Sequence, residues 1–322
     1  MPGLLVSAVS LAVVLYLANP RELVKALRLA DYRLVALAVA ISGVWLLVRA
    51  VVWRTLLQEK ATFRQVFLTV NEGYLLNNIL PFRLGEVGRA FLLGRKAGLG
   101  FWQVLSSILI ERILDLAMAA GLLLSTLPFV VGATWAREAA LGAGLIVLAG
   151  LLVLYLLARY REWAIARFQQ IGARWPFLLR VAGDRLPAFF NGLAVLTDGS
   201  RFLRSVAWML LNWIVAIVQY YILMLAFLPQ ARFLWGAFSL GVGALGIAAP
   251  SSPGAVGVLE LSLVGALSIF GVDPAISLAF AIIAHIINYL LTGIFGAYGL
   301  AKDGESLASL YDRVRRMPKN ES

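Results

Sequence analysis

The chain has 322 residues, 61% hydrophobic and only 14% charged, with no cysteine and one histidine; its mean hydropathy is +0.86. A soluble domain carries roughly 25% charged residues, so an ordinary soluble fold is excluded, and the missing cysteines exclude disulfides, thiol catalysis and cysteine-held metals. The net charge of +11 is no nucleic-acid signature, because the polar segments are short, border apolar spans and carry no nucleic-acid motif; positive-inside sorting and anionic lipids explain it.

A spanning helix needs about 20 predominantly apolar residues. By that measure candidate segments fall at 3–19, 34–57, 64–80, 101–128, 136–158, 205–228, 232–249, 254–270 and 274–300. The start, Met1-Pro2-Gly3 followed by an apolar run, has no basic n-region or A-x-A pattern and reads as a retained first span or anchor. Segment 20–33 mixes Arg21, Glu22, Lys25, Arg28, Asp31 and Arg33 with Leu and Val, as an interfacial amphipathic helix does. The fold class expected is an all-α polytopic membrane protein of roughly eight transmembrane helices, with broken or re-entrant segments.

Charge orients the bundle. The loop 159–204 carries Arg159, Arg161, Arg167, Arg174, Arg180, Arg185, Arg201 and Arg204 against Glu162, Asp184 and Asp198. It is the strongest cytoplasmic signal, and with it the C-terminus is expected inside. The integral domain then covers 1–304, with 305–322 a cytoplasmic polar tail. This leaves 232–270 beginning and ending on the outer side, its connection Pro250-Ser251-Ser252-Pro253-Gly254 uncharged. Either that connection is a tight cytoplasmic turn, or the pair is a re-entrant hairpin; we favour the hairpin. An earlier break reads alike: Pro81 to Gly85 and Pro250 to Gly254 are both P-x-x-x-G, each after an apolar helix and before a glutamate. Such pairs point to a midplane site between repeats, and an inverted repeat is one reading.

Charges at membrane depth cost roughly 2.5–3.5 kcal/mol each on insertion scales, and three clusters carry that cost. In the first, Asn77 and Asn78 precede Pro81, Arg83, Gly85, Glu86 and Arg89. Glu86 and Arg89 are close enough to pair on a renewed helix, while Arg83 and Arg89 suit a phosphate fork; the bland alternative is a cytoplasmic helix rim, which we accept for Arg95 and Lys96. The second is Glu111, Arg112 and Asp115, with Ser107 one turn upstream: a headgroup site, a structural ion-pair knot, or both. The third is Pro253, Gly254, Gly257 and Glu260. Its glycines allow close approach and its helix start suits an anion, while Glu260 has Arg83, Arg89, Arg112 or a cationic headgroup as candidate partners; small-residue helix packing is the alternative. His285, Asn288, Tyr289 and Thr292 make one polar stripe, with His285 read as a hydrogen-bonded interior residue. Asn212 and Gln219 do the same for 205–228.

The runs YLLNNILPFRLGEVGRAFLLGRKAG (74–98), SILIERILDLAMA (107–119) and APSSPGAVGVLE (249–260) resemble the lysylphosphatidylglycerol synthetase transmembrane-region family, also called flippase-like or uncharacterised family 0104. The match in order and spacing covers roughly 34–300. The resemblance implies about eight helices with broken segments near the midplane, and a role in moving or presenting lipids. In the multiple-peptide-resistance proteins a similar membrane half translocates aminoacylated phosphatidylglycerol, and relatives are linked to hopanoid or polyprenyl-phosphate pathways. Carried onto this sequence, the motif positions are Asn77, Pro81, Arg83, Gly85, Glu86, Arg89, Glu111, Arg112, Asp115, Pro253, Gly254, Gly257 and Glu260. Two departures stand out. Only residues 301–322 follow the last apolar segment, so the soluble aminoacyl-transfer domain and synthase activity are not expected; and Ala255 follows Gly254 where the family has paired glycines.

The reading is an inner-membrane lipid translocase. Its expected substrate-binding residues are Asn77, Arg83, Glu86, Arg89, Glu111, Arg112, Asp115, Gly254, Gly257 and Glu260. No catalytic residue, cofactor, metal or nucleic acid is expected. The partners are a membrane phospholipid or polyprenyl-phosphate lipid and the bilayer, with a homo-oligomer or a lipid-synthase partner left open. The alternatives are a membrane enzyme acting on a lipid-linked substrate, and a non-transporting scaffold for a lipid synthase.

Overall fold

The computed structural model describes residues 2–80, 84–131, 136–172, 186–248 and 252–305. Pro81, Arg83, Pro250 and the tail beyond 305 lie outside them, as do Arg174, Arg180, Asp184 and Arg185. The described residues form thirteen α-helices and no strand. These are α1 (Pro2–Leu17), α2 (Pro20–Leu29), α3 (Tyr32–Leu56), α4 (Phe63–Ile79), α5 (Leu84–Lys96), α6 (Phe101–Val131), α7 (Ala136–Arg159), α8 (Arg161–Gly172), α9 (Leu186–Leu193), α10 (Gly199–Leu225), α11 (Phe233–Ala248), α12 (Val258–Ser268) and α13 (Pro274–Lys302).

Four helices, α3, α6, α10 and α13, are long and apolar enough to cross a membrane. Their starts are written locally: Asp31, Asp198 and Asp273 cap α3, α10 and α13 by accepting backbone N–H groups. α2 is the amphipathic segment expected, with no buried residue. The helices between the long ones are short. At 1.5 Å per residue, α4 and α5 are ~25 and ~20 Å long, α11 and α12 ~24 and ~16 Å, against a hydrocarbon core of about 30 Å. Each pair is a hairpin. Gln65 Nε2 at the start of α4 donates to the Lys96 carbonyl at the end of α5 (3.0 Å); Trp235 on α11 stacks on Phe270 after α12 at 4.7 Å.

The hairpins open on opposite faces. The first opens beside the end of α13, through Lys96 and Asp303, and beside 186–204, through Gln58 Nε2 to the Asn191 carbonyl (2.8 Å) and Arg204 to Glu59 (3.6 Å). The second opens at the other end of the bundle, where the Asp31 N–H meets the Ala226 carbonyl (2.9 Å). Eight of the described helices therefore fall into two inverted sets: α3, the α4–α5 hairpin and α6, then α10, the α11–α12 hairpin and α13.

The packing obeys that relation. α3 lies along α10; α4 packs on α13 as α11 packs on α6; α2 leans on α13 as α9 leans on α6. It holds residue by residue when helices are counted from their starts. Gly73 and Gly243 are each eleventh in their helix, and each lies against the sixth residue of the following helix, Arg89 and Leu263. Asn71 meets Gly296 as Gly241 meets Leu123, ninth residue against twenty-third. The two largest apolar clusters hold Trp53, Leu56, Val70 and Ile108 in one, and Leu223, Leu263, Phe280 and Ile287 in the other.

Candidate functional site

In the first half, three helices bring six charges together. Arg49 comes from α3, Glu86 and Arg89 from the start of α5, and Glu111, Arg112 and Asp115 from one face of α6. Arg49 grips both Asp115 oxygens, Nη1 to Oδ1 at 2.7 Å and Nη2 to Oδ2, and its Nη2 also reaches Glu111 Oε1 at 2.6 Å. Arg89 Nη2 donates to Glu111 Oε2 at 2.7 Å. Arg112 Nη2 spans Glu111 (3.2 Å) and Asp115 (3.1 Å), while its Nε faces Glu86 at 3.7 Å. Three cations balance three anions, which is how a bundle interior tolerates them.

The burial is graded. Arg49, Arg89 and Glu111 side chains are 3%, 1% and 0% exposed, whereas Arg112, Glu86 and Asp115 are 30%, 26% and 18% exposed. A closed floor thus carries an open rim. The floor is built to hold Arg89: its guanidinium lies 4.0 Å over the Trp53 ring, and a Cβ on Gly73 would collide with its stem. Trp53 Nε1 is fixed by Ser107 Oγ (3.1 Å). Asn77 Oδ1 accepts the Gly85 N–H at 2.8 Å, tying the end of α4 to the start of α5 across the break. Trp213 Nε1 borders the rim, 3.4 Å from Asp115.

The second half holds a smaller centre at the equivalent place. Glu260 is the third residue of α12, as Glu86 is of α5, and His285 is the twelfth of α13, as Arg112 is of α6. Glu260 Oε1 lies 2.6 Å from His285 Nδ1, and Oε2 accepts the Gly257 N–H at 2.7 Å. His285 Nε2 lies 2.9 Å from the Gly254 carbonyl. Gly254 and Gly257 have φ of +66° and +85°, conformations that glycine alone adopts freely. Side chains there would also strike the Tyr289 hydroxyl and the α1 backbone at Ser7.

A third cluster closes the mouth of the first hairpin. Lys96 Nζ donates to Thr69 (3.1 Å) and to both Glu72 oxygens (2.9 and 2.7 Å), and pairs with Asp303. Arg95 meets Glu305 at 2.5 Å. Lys96, read from sequence as a bare rim charge, is thus an interior ion-pair partner.

The sequence-predicted residues therefore divide. Glu86, Arg89, Glu111, Arg112 and Asp115 come together, with Asn77 beside them; Gly254, Gly257 and Glu260 form the separate second centre; Arg83 lies outside the described residues. The expected Glu86–Arg89 pair does not form, because Glu111 and Arg112 on α6 take those partners instead. Glu260 answers His285, not an arginine of the first half. Sequence reasoning missed Arg49, Trp53, Glu72 and Gly73. Arg49 had a usable signal, a lone arginine inside the apolar run WLLVRAVVW.

Long apolar helices, two broken hairpins and charge centres beside both breaks define an integral, polytopic helical membrane protein. The chain belongs to the family described as lysylphosphatidylglycerol synthase TM region, which matches residues 2–296. It is similar to a UPF0104 membrane protein of Methanothermobacter thermautotrophicus, 27% identical across 95% of this chain and 92% of that one. It is also similar to the glycosyltransferase AglD of Haloferax volcanii, 26% identical across 95% of this chain but only 55% of AglD, and to a UPF0104 membrane protein of Methanocaldococcus jannaschii, 24% identical across 69% and 91%. No solved structure matches.

Proposed function

We propose that the chain translocates a phosphate-bearing lipid headgroup across the cytoplasmic membrane, with the face holding 186–204 and the end of α13 turned to the cytoplasm. One observation carries the reading: a charge-balanced cluster inside an inverted-repeat bundle has a sealed floor and an open rim. A purely structural knot has no need of a rim. Arg112, Glu86 and Asp115 are the groups that meet the headgroup, joined by Arg83 and Asn77; Arg49, Arg89 and Glu111 hold them in place. Arg112 supports a phosphate role because it is the exposed cation of the cluster, its side chain 30% exposed where Arg49 and Arg89 are buried, so its guanidinium can meet an arriving acceptor. A phosphate there would compete with Glu86 and Asp115 for Arg112 while the tails remain in lipid. Gly254, Gly257 and Glu260 belong to the second break, which faces the opposite side.

The test is movement of a fluorescent phosphatidylglycerol analogue between leaflets of phosphatidylethanolamine–phosphatidylglycerol vesicles holding the purified protein. A diacylglycerol analogue without phosphate is the control. Arg112→Gln should slow phosphatidylglycerol movement by about 10- to 100-fold, the loss of one charged hydrogen bond of roughly 1.5–3 kcal/mol. Equal rates for wild type and Arg112→Gln refute the assignment. Covalent conversion of the lipid instead of movement would favour the enzyme reading, which the glycosyltransferase name of one relative keeps in view.

A further inference from the structure

The second centre has a property that the first cannot have. Gly254 offers only a carbonyl oxygen, so the 2.9 Å contact to His285 Nε2 requires a proton on that nitrogen. The 2.6 Å contact between His285 Nδ1 and Glu260 Oε1 requires a second proton, on the nitrogen or on the carboxyl. The pair thus holds one proton more than a neutral imidazole facing a carboxylate. Whether written as imidazolium with carboxylate or imidazole with carboxylic acid, it is then electrically neutral inside the bundle.

We propose that Glu260 and His285 form a proton-binding site that pins the second broken turn to α13, and that lipid movement is coupled to loading and unloading of this proton. The coupling, though not the site, rests on the translocase reading. Loss of the proton leaves two acceptors facing one another, either the imidazole lone pair against the carboxylate or the lone pair against the Gly254 carbonyl. One leg of the pin then fails, and the pair is left with a net negative charge at membrane depth. The proton goes to water on the face to which the turn opens, so charge and atoms balance without any further reactant.

The surroundings fit this role. Tyr289 lies on α13 with its ring 4.5 Å from the imidazole, and Tyr220 on α10 packs edge-on against Phe280 of α13 at 5.8 Å. α1 brings the Ser7 hydroxyl to the turn, accepting the Ser252 N–H at 2.9 Å, and sets its backbone at Ser7 and Leu11 against Gly257. Among the described residues no second ion pair reaches Glu260 or His285. The route to the first half is short. The turn Pro253–Ala255 packs against α4, and α4 carries Asn77 and Gly73, which position the start of α5 and Arg89. α4 and α13 are further joined by Asn78 and Thr292 at 3.2 Å. At the equivalent place in the first half stands Arg112, which keeps its proton at any working pH.

The chain has one histidine, so nitrogen-15 histidine labelling reports His285 alone. In wild type reconstituted in lipid at neutral pH, solid-state NMR should find both ring nitrogens protonated, or Nε2 protonated beside a protonated Glu260. In Glu260→Gln the ring should become a single neutral tautomer. A neutral ring beside an ionised Glu260 in wild type overturns the proton site. In vesicles with an imposed pH gradient, wild type should move the phosphatidylglycerol analogue several-fold faster in one direction of the gradient, and His285→Gln should lose that response. Wild-type movement indifferent to the gradient overturns the coupling. No lipid movement under any gradient, with the NMR result intact, refutes the translocase reading and the coupling while the proton site stands.

Discussion

Replacing Arg89 by Met removes one partner of a fully buried pair, and the structure sets what should follow. Arg89 loses its 2.7 Å contact with Glu111 and its seat on the Trp53 ring. Glu111 is not stranded, since Arg49 at 2.6 Å and Arg112 at 3.2 Å remain. Breaking a buried pair costs roughly 3–5 kcal/mol, and the surviving partners place this variant near the lower end, at about 3 kcal/mol. Glu111→Gln is the harsher change. Glu111 is the one acid that pairs with Arg89 among the described residues, so the guanidinium would be left buried and uncompensated, at about 5 kcal/mol.

The double variant restores balance, two cations against two anions, with Arg49 still gripping Asp115. It should therefore cost less than the sum of the singles by roughly 1–3 kcal/mol, the range of coupling between contacting groups. Detergent-titrated unfolding in bicelles, followed by tryptophan emission, measures all four corners of the cycle. Additive costs would mean that the two side chains do not share a buried bond. Single costs below about 1 kcal/mol, the value of an exposed pair, would mean that the floor is wet.

Three more expectations follow from the same geometry. Gly73→Ala drives a Cβ into the Arg89 stem and should cost about 1–3 kcal/mol by the same unfolding assay; Gly243→Ala meets only the terminal methyls of Leu263 and Leu259, at 3.2 and 3.4 Å, and should cost less than about 1 kcal/mol. Gly254→Ala should destabilise through both its positive φ and the Tyr289 hydroxyl, and Tyr289→Phe should recover only the second part. Glu72→Gln keeps the shape of the mouth but leaves Lys96 with Asp303 and Thr69, so thermal stability should fall by about 1–3 kcal/mol while lipid movement per folded molecule is unchanged.

The spans were legible because apolar length is local information: the segment expected at 34–57 is α3 at Tyr32–Leu56, and that at 232–249 is α11 at Phe233–Ala248. The segment expected from 254 starts at Val258, since Gly254 and Gly257 both sit at positive φ and cannot continue a helix. The repeat was visible, but through a misleading signature. Gly85 lies inside α5 as its second residue, whereas Gly254 lies four residues before α12. The two glycines are not equivalent; Glu86 and Glu260 are. The P-x-x-x-G match hid this because the spacing between helices differs, Ile79 to Leu84 in one case and Ala248 to Val258 in the other. Ion-pair partners were the least legible feature. Spacing on one helix offered Glu86 with Arg89, and tertiary packing overrode it by bringing α6 against both. Arg49 escaped because a single charge hardly lowers the hydropathy of a 25-residue helix, although burying it inside a membrane bundle is costly all the same.

The second half also answers whether the first needs its buried charges in order to fold. At the positions equivalent to Arg89 and Glu111 stand Leu263 and Ala284, both buried, facing the same glycine and the same long helix. One architecture thus holds an ion pair in one copy and an apolar pair in the other, and apolar replacement of a buried ion pair is often neutral or stabilising. Arg89→Leu with Glu111→Ala writes the second half's residues into the first. The fold should survive, at a smaller cost than Arg89→Met with Glu111→Gln, which leaves a polar amide in the floor. Phosphatidylglycerol movement should slow, because Arg112 then keeps Asp115 and Glu86 but lacks Glu111, which holds it at 3.2 Å. If this variant unfolds, the charges are there to hold the helices in register, and the translocase reading loses its main support.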